Sequence, residues 1–254
     1  MLKALIFDVD GTLAETEDLH RQAFNRAFDQ LGFDWHWTPE LYAELLKIMG
    51  GKERLLHFIA QAHPDNETAL RARMPEIHDL KTQIYGELIE TGPLALRPGV
   101  ARLIAEARAA GIRLGVATTT TRPNLDRLVA INFANEDQPF DVVAAGDEAA
   151  RKKPAPDIFE LAVARLGIDP SEGIAFEDSA PGIRSALDAG LPVLATRSRY
   201  TGSHRLDGAF SAVSDLGEPG SPHEHLAGAV WPGGFVTLAA LSAWHARSRE
   251  GASV

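Results

Sequence analysis

Over the second half of the chain, apolar residues follow one repeating grammar: a helical face, a glycine stop, then a short apolar strand. After Pro98-Gly99, Val100, Leu103, Ile104 and Ala107 are spaced for one side of a helix; Gly111 ends it and residues 112–117 follow as an apolar run. Ile158, Phe159, Leu161, Ala162 and Leu166 repeat the pattern, with Gly167 as the stop and residues 173–176 as the strand. Ile183, Ala186 and Leu187 repeat it again, with Gly190 and residues 192–195. Residues 140–145 form a further apolar run between the first two units. Residues 2–7 (Leu-Lys-Ala-Leu-Ile-Phe) fit as the central strand.

Helices alternating with apolar strands predict a parallel sheet covered on both faces, an α/β fold of the doubly wound, Rossmann-like kind. In such sheets ligands bind beyond the carboxyl ends of the strands. That rule alone selects Asp8, Thr118, Asp147 and the pair Glu177-Asp178, each lying just past a predicted strand.

From about Ala14 to Arg97 the strand signal is missing and the period is helical, as in Leu19, Ala23, Phe24, Ala27, Phe28 and Leu31. The expected organisation is therefore a catalytic core of residues 1–14 and 98–216 and an inserted α-helical cap of residues 15–97. A C-terminal extension, residues 217–254, is expected to pack on the core. A cap inserted directly after the first strand sits over the strand-end site and can act as a lid. In the extension, residues 217–222 read as a loop and residues 237–247 as a closing helix.

The 254 residues, 45% hydrophobic and 24% charged, suit an ordinary globular protein of this layout. The absence of cysteine removes disulfides, thiolate nucleophiles and Cys-ligated metals. A net charge of −10 argues against coating nucleic acid or an anionic membrane. Lacking a targeting segment and any run long enough to span a bilayer, the chain is expected to be a cytoplasmic monomer.

Asp8-Val9-Asp10-Gly11-Thr12 puts two carboxylates two residues apart, on one side of an extended strand end, before a glycine that lets the backbone turn. Alone, the segment would equally serve as an acidic turn or a helix cap. The other strand ends add a hydroxyl at Thr118, a cation at Lys153 before Pro154, and further carboxylates at Glu177 and Asp178, a set suited to phosphoryl transfer. Thr118 to Thr121 also suit a polar strand end with a helix cap.

These four ordered motifs resemble those of the haloacid dehalogenase-like hydrolase superfamily, over residues 3 to about 215. The resemblance implies that Asp8 is a nucleophile forming an aspartyl-phosphate and that Asp10 is the acid and then the base. Thr118, with the Thr119 amide, would bind a phosphoryl oxygen, and Lys153 would neutralise charge. Asp8, Asp178, the Asp10 carbonyl and Glu177, directly or through water, would hold Mg2+.

The helical insertion is similar to the cap of the β-phosphoglucomutase and phosphoglycolate phosphatase branch. In it Glu17 and His20 follow the nucleophile loop, and Gly50-Gly51-Lys52-Glu53-Arg54 forms a basic turn in which Gly51, Lys52 and Arg54 would meet substrate. Without the resemblance, that turn reads as well as a charged helix start. Residues 7–17, 32–37, 50–54, 96–99 and 117–120 together look like the CbbY-type phosphatases, known for removing a phosphate from xylulose 1,5-bisphosphate. A small phosphorylated sugar is thus the expected partner. A phosphomutase, a phosphoglycolate phosphatase and a non-catalytic binding module are the alternatives. Trp35 and Trp37 are expected in the cap core, and His223-Glu224-His225 at the surface.

Overall fold

The computed structural model describes residues 1–251 apart from 93, 134–137 and 203. Residues 252–254, the end of the expected extension, lie outside the described residues. The chain runs through β1 (Ala4–Phe7), then α1 (Glu17–Gln30), α2 (Pro39–Leu45), α3 (Gly51–Ala62), α4 (Glu67–Ala72) and α5 (Met74–Thr91). It continues through α6 (Val100–Ala109), β2 (Arg113–Thr118), α7 (Arg122–Asn132), β3 (Val142–Ala145), α8 (Asp157–Leu166), β4 (Gly173–Glu177), α9 (Ala180–Asp188) and β5 (Val193–Thr196). Strands β6 (Ser211–Val213) and β7 (His225–Gly228) precede the last helix, α10 (Leu238–Gly251).

All seven strands form one sheet in the order β3-β2-β1-β4-β5-β6-β7, parallel except for β7. Strand β1 lies between β2 and β4, with Phe7 beside both Val116 and Phe176, so it is the middle of the first five strands. Its side chains alternate between two cores. Leu5 and Phe7 join Leu114, Val116, Ile174 and Phe176 on the face covered by α6, α7 and α10. Ala4 and Ile6 join Ala117, Ala175 and Val193 on the face covered by α8 and α9. Burial on both sides explains why these strands read as apolar runs.

A third core lies among the cap helices. Phe24, Phe28, Trp35, Trp37, Tyr42 and Leu55 are its large members, and Tyr200 reaches it from the loop after β5. Trp35 and Trp37 thus pack inside the cap, as expected. Helix α1 packs along α5, with Ala23 and Ala27 meeting the side of Ile84, Tyr85 and Leu88.

The tail differs from the loop-and-helix reading. Strand β7 pairs antiparallel with β6 and carries the sheet on to a seventh strand. It lacked a signal because its residues are largely exposed at the sheet edge, and β6 is only three residues long. His223 and His225 flank Glu224 along this edge. Arg102 of α6 fastens the tail: it donates to Glu218 (2.9 Å), the Val236 carbonyl (2.9 Å) and the Gly217 carbonyl (2.8 Å), and lies over the Phe235 ring. Thr237 caps α10 by accepting from the Ala240 amide, and the helix runs on to Gly251, past the expected end at Arg247. Among the described residues, no helix is long and apolar enough to cross a membrane.

Candidate active site

Asp8 follows β1 directly, its amide bonded to the Phe176 carbonyl of the neighbouring strand (3.0 Å). Parallel pairing therefore brings the ends of β1, β2 and β4 level, and with them Asp8, Thr118 and Glu177-Asp178. Lys153 arrives from the segment before α8. Its ammonium is fully buried and donates to Asp8 Oδ1 (2.6 Å), Glu177 Oε1 (2.6 Å) and the Ala117 carbonyl (3.0 Å). All three of its protons are thereby used.

Glu177 is held at both oxygens. Its Oε2 accepts from the Asp178 amide (3.0 Å), the Ser179 amide (3.2 Å) and the Ser179 hydroxyl (3.1 Å), at the positive end of α9. A Cβ on Gly182 would fall 2.0 Å from this carboxylate, so the first turn of α9 is shaped around it. Asp178 accepts from Thr201 Oγ1 (2.9 Å), and Gly11, at φ +84°, lets the loop after Asp8 press against it.

Carboxylate oxygens of Asp8, Glu177 and Asp178 lie within 4.8 Å of one another, all three residues buried. Burial pushes Asp8 well above the ordinary carboxylate range, Lys153 opposing it and the neighbouring carboxylates adding to it. Burial, with Glu177 beside it, lifts Asp178 to about 8. One ammonium is too little positive charge for three buried carboxylates; a hard divalent cation with oxygen ligands fits the donor set and the deficit.

Thr118 is buried at the end of β2, and its hydroxyl oxygen accepts from the Thr120 amide (3.1 Å). The hydroxyl proton remains for a ligand at the site. Thr118 thus closes the turn after β2, while Thr121, at the start of α7, makes no side-chain cap.

Asp10 faces the cap. Thr16 donates to its Oδ1 (2.5 Å), and His20 Nε2 lies 3.2 Å from the same oxygen. Behind His20, the Lys81 ammonium is 2.7 Å from Nδ1. An ammonium can only donate, so Nδ1 is the acceptor and the Nε2 proton points at Asp10. Burial alone would raise Asp10; His20, Thr16 and Lys81 outweigh it and hold the carboxylate at about 2. Burial and then the Lys81 charge lower His20, which keeps it neutral in this chain of donors. Lys81 itself is brought down to about 8 by burial.

On the cap side, Arg54 is buried. It donates to the Tyr42 hydroxyl (2.9 Å) and the Leu45 carbonyl (3.3 Å), and Tyr42 in turn donates to Glu17 (2.8 Å). His20, Gly51, Arg54, His78 and Lys81 from the cap and Thr119, Thr121 and Asn124 from the core line a cleft of about 50 Å³. That volume holds a few water molecules.

The structure thus brings Asp8, Asp10, Thr118, Lys153, Glu177 and Asp178 to the strand ends; His20, Gly51, Arg54 and Thr119 line the cleft under the cap, and Glu17 is bonded to Tyr42 behind it. It does not bring Lys52 together with Arg54: the Lys52 ammonium is 3.0 Å from Asp147 on the core and half exposed. Asp147, singled out by the strand-end rule, pairs with Lys52 and Lys152 and lies outside the carboxylate cluster. Thr16, Tyr42, Lys81 and Thr201 were not anticipated. Lys81 carried a readable signal: it is a charge on the apolar face of α5, one turn from both Ile77 and Tyr85.

The chain matches the family model for haloacid dehalogenase-like hydrolases over residues 2–190. It is 43% identical to the plasmid protein CbbY of Cupriavidus necator over 96% of this chain and 97% of that one, and 49% identical to CbbY of Rhodobacter capsulatus over 85% and 94%. Among solved structures it resembles a variant of CbbY from Rhodobacter sphaeroides in complex with xylulose-(1,5)bisphosphate, at TM-score 0.79 and 44% identity, covering 87% of this chain and 97% of that chain. The strand-end motifs and these likenesses agree: the chain belongs to the haloacid dehalogenase-like hydrolases and is an enzyme of the phosphatase kind.

Proposed function

We propose that the protein is a Mg2+-dependent phosphatase of a sugar bisphosphate, with xylulose 1,5-bisphosphate as substrate and xylulose 5-phosphate and inorganic phosphate as products. The observation that carries this reading is the buried cluster of Asp8, Glu177 and Asp178 around Lys153, with basic side chains close by under the inserted helices. Lys153 is bonded to Asp8 at the strand ends, while Arg54 and Lys81 line a cleft together with Thr119 and Asn124 of the core. The CbbY variant in complex with xylulose-(1,5)bisphosphate supports the choice of sugar. In that role the enzyme clears a by-product from carbon fixation.

An Asp8 oxygen attacks phosphorus; the new O–P bond forms as the bond to the sugar oxygen breaks, and Asp10 gives that oxygen a proton. Held at about 2 against burial by His20 and Thr16, Asp10 is ionised, but an incoming phosphate dianion disfavours its negative charge and raises its proton affinity. In the second step Asp10 takes a proton from water, water attacks phosphorus, and the Asp8–phosphorus bond breaks to release phosphate. Lys153 offsets the charge between nucleophile and phosphoryl group, and Thr118 donates to a phosphoryl oxygen. The side chains of Asp8 and Asp178, the Asp10 carbonyl and Glu177, directly or through water, would hold Mg2+, whose chemistry is to neutralise phosphoryl charge.

The test is phosphate release from a panel of phosphorylated sugars with and without Mg2+. One equivalent of phosphate per xylulose 1,5-bisphosphate, dependent on Mg2+, is expected. An isomerised sugar phosphate without phosphate release would make the protein a mutase.

A further inference from the structure

The loop after β5 touches the carboxylate cluster and the cap within two consecutive residues. Thr201 Oγ1 donates to Asp178 Oδ2 (2.9 Å), while Tyr200 reaches the other way, its hydroxyl 2.5 Å from Asp18 Oδ1 and 3.2 Å from Arg21 Nε of α1. The Tyr200 ring meets Tyr42 edge-on inside the cap core. The turn between them is stiff. The Ser198 and Thr201 hydroxyls lie 2.7 Å apart, and each residue's amide also donates to the other's hydroxyl oxygen. Ser198, Tyr200 and Thr201 are all buried. The cap's entry linker joins in, since the Arg199 amide faces the Glu15 carboxylate (3.3 Å).

A hydroxyl that orients a metal-binding carboxylate affects metal affinity through that carboxylate. Here the same rigid turn carries the ring that grips the cap. We infer that Tyr200 and Thr201 are a positioning pair: the Tyr200–Asp18 contact with the cap sets the turn, and the turn sets the Asp178 oxygen for Mg2+. Cap closure and metal binding then reinforce each other, as linked equilibria must. This rests on the assignment of Asp178 as a Mg2+ ligand.

The experiment measures the Mg2+ dissociation constant of the purified full chain by titration calorimetry, with Mg2+ alone as the probe. Variants are Tyr200→Phe, which keeps the ring and removes the hydroxyl, Thr201→Val, Thr201→Ser and the Tyr200→Phe/Thr201→Val double variant; thermal melts check their folding. Thr201→Val is expected to weaken Mg2+ binding by about tenfold or more, and Thr201→Ser to restore it. Tyr200→Phe is expected to weaken it by about threefold, and the double variant to be no weaker than Thr201→Val, because both act through one carboxylate. The kcat/KM of Tyr200→Phe should fall at limiting Mg2+ and recover when Mg2+ is saturating. Wild-type Mg2+ affinity in Tyr200→Phe, or losses that multiply in the double variant, would overturn the coupling. Should Thr201→Val not fold, Tyr200→Phe and Thr201→Ser still decide it. A wild-type chain that binds no Mg2+ would instead overturn the metal assignment itself, and the coupling with it.

Discussion

The Lys153 ammonium lies 2.6 Å from Asp8 Oδ1, with its side chain wholly removed from solvent. It is the counterion of Asp8 and, through its second contact, of Glu177. Replacing it leaves buried carboxylates uncompensated. Lys153→Met should lower stability by about 3–5 kcal/mol and kcat by about a hundredfold or more. Thermal melts and phosphate release check both, and added Mg2+ should recover part of the stability and little of the rate.

The raised carboxyl groups give the metal-free protein a distinctive pH response. A carboxyl whose folded pKa exceeds its unfolded value binds more protons when folded, so stability falls as pH climbs toward the folded pKa. Asp178, at about 8, and Asp8, raised by burial, both act this way. His20 and His78, lowered by burial, oppose them only below the ordinary histidine value of 6.5, and Lys81, at about 8, acts only above that pH. Between pH 6.5 and 8 the metal-free Tm should therefore fall as pH rises, and saturating Mg2+ should flatten the slope. A metal-free Tm that rises over this window contradicts the charge deficit.

Gly182 reverses a usual rule. In a helix, Gly→Ala ordinarily stabilises by about 1 kcal/mol. At this position a Cβ would lie 2.0 Å from the Glu177 carboxylate. Gly182→Ala should instead destabilise by about 1–3 kcal/mol and reduce turnover, since Glu177 must leave either Lys153 or the Asp178 and Ser179 amides. A denaturant titration gives the sign.

Arg54 and Lys52, neighbours in the basic turn, have separate surroundings and should separate in kinetics. Arg54→Lys loses the fork that spans Tyr42 and Leu45, and should raise KM for the bisphosphate about tenfold while leaving KM for a small aryl monophosphate within about twofold. Lys52→Ala removes a half-exposed pair with Asp147 and should change KM less, the more so at high salt.

The parallel core was legible because β1, β4 and β5 are buried on both faces and α6, α8 and α9 are each followed by a glycine, Gly111, Gly167 or Gly190. Strand ends then located Asp8, Thr118, Glu177 and Asp178 without reference to any motif. What escaped was set by contacts distant in sequence. Tyr200 looks like a loop aromatic until the fold brings it against Asp18, and Thr201 like a loop hydroxyl until it meets Asp178. Asp147 shows the converse: a strand-end position alone selected it, but its carboxylate turns outward to two lysines. Strand β7 owes its place to pairing with β6 at an edge, which leaves no apolar periodicity to read.

The central claim is that the phosphoryl group passes through Asp8, and Asp10→Asn tests it most directly, because it removes the base that frees the intermediate while keeping the nucleophile. After reaction with Mg2+ and an aryl phosphate, whose leaving group needs no acid, and an acid quench, mass spectrometry of the peptides should find phosphate on Asp8. Turnover that continues in this variant with no phosphate on Asp8, or phosphate on another residue, would contradict the account.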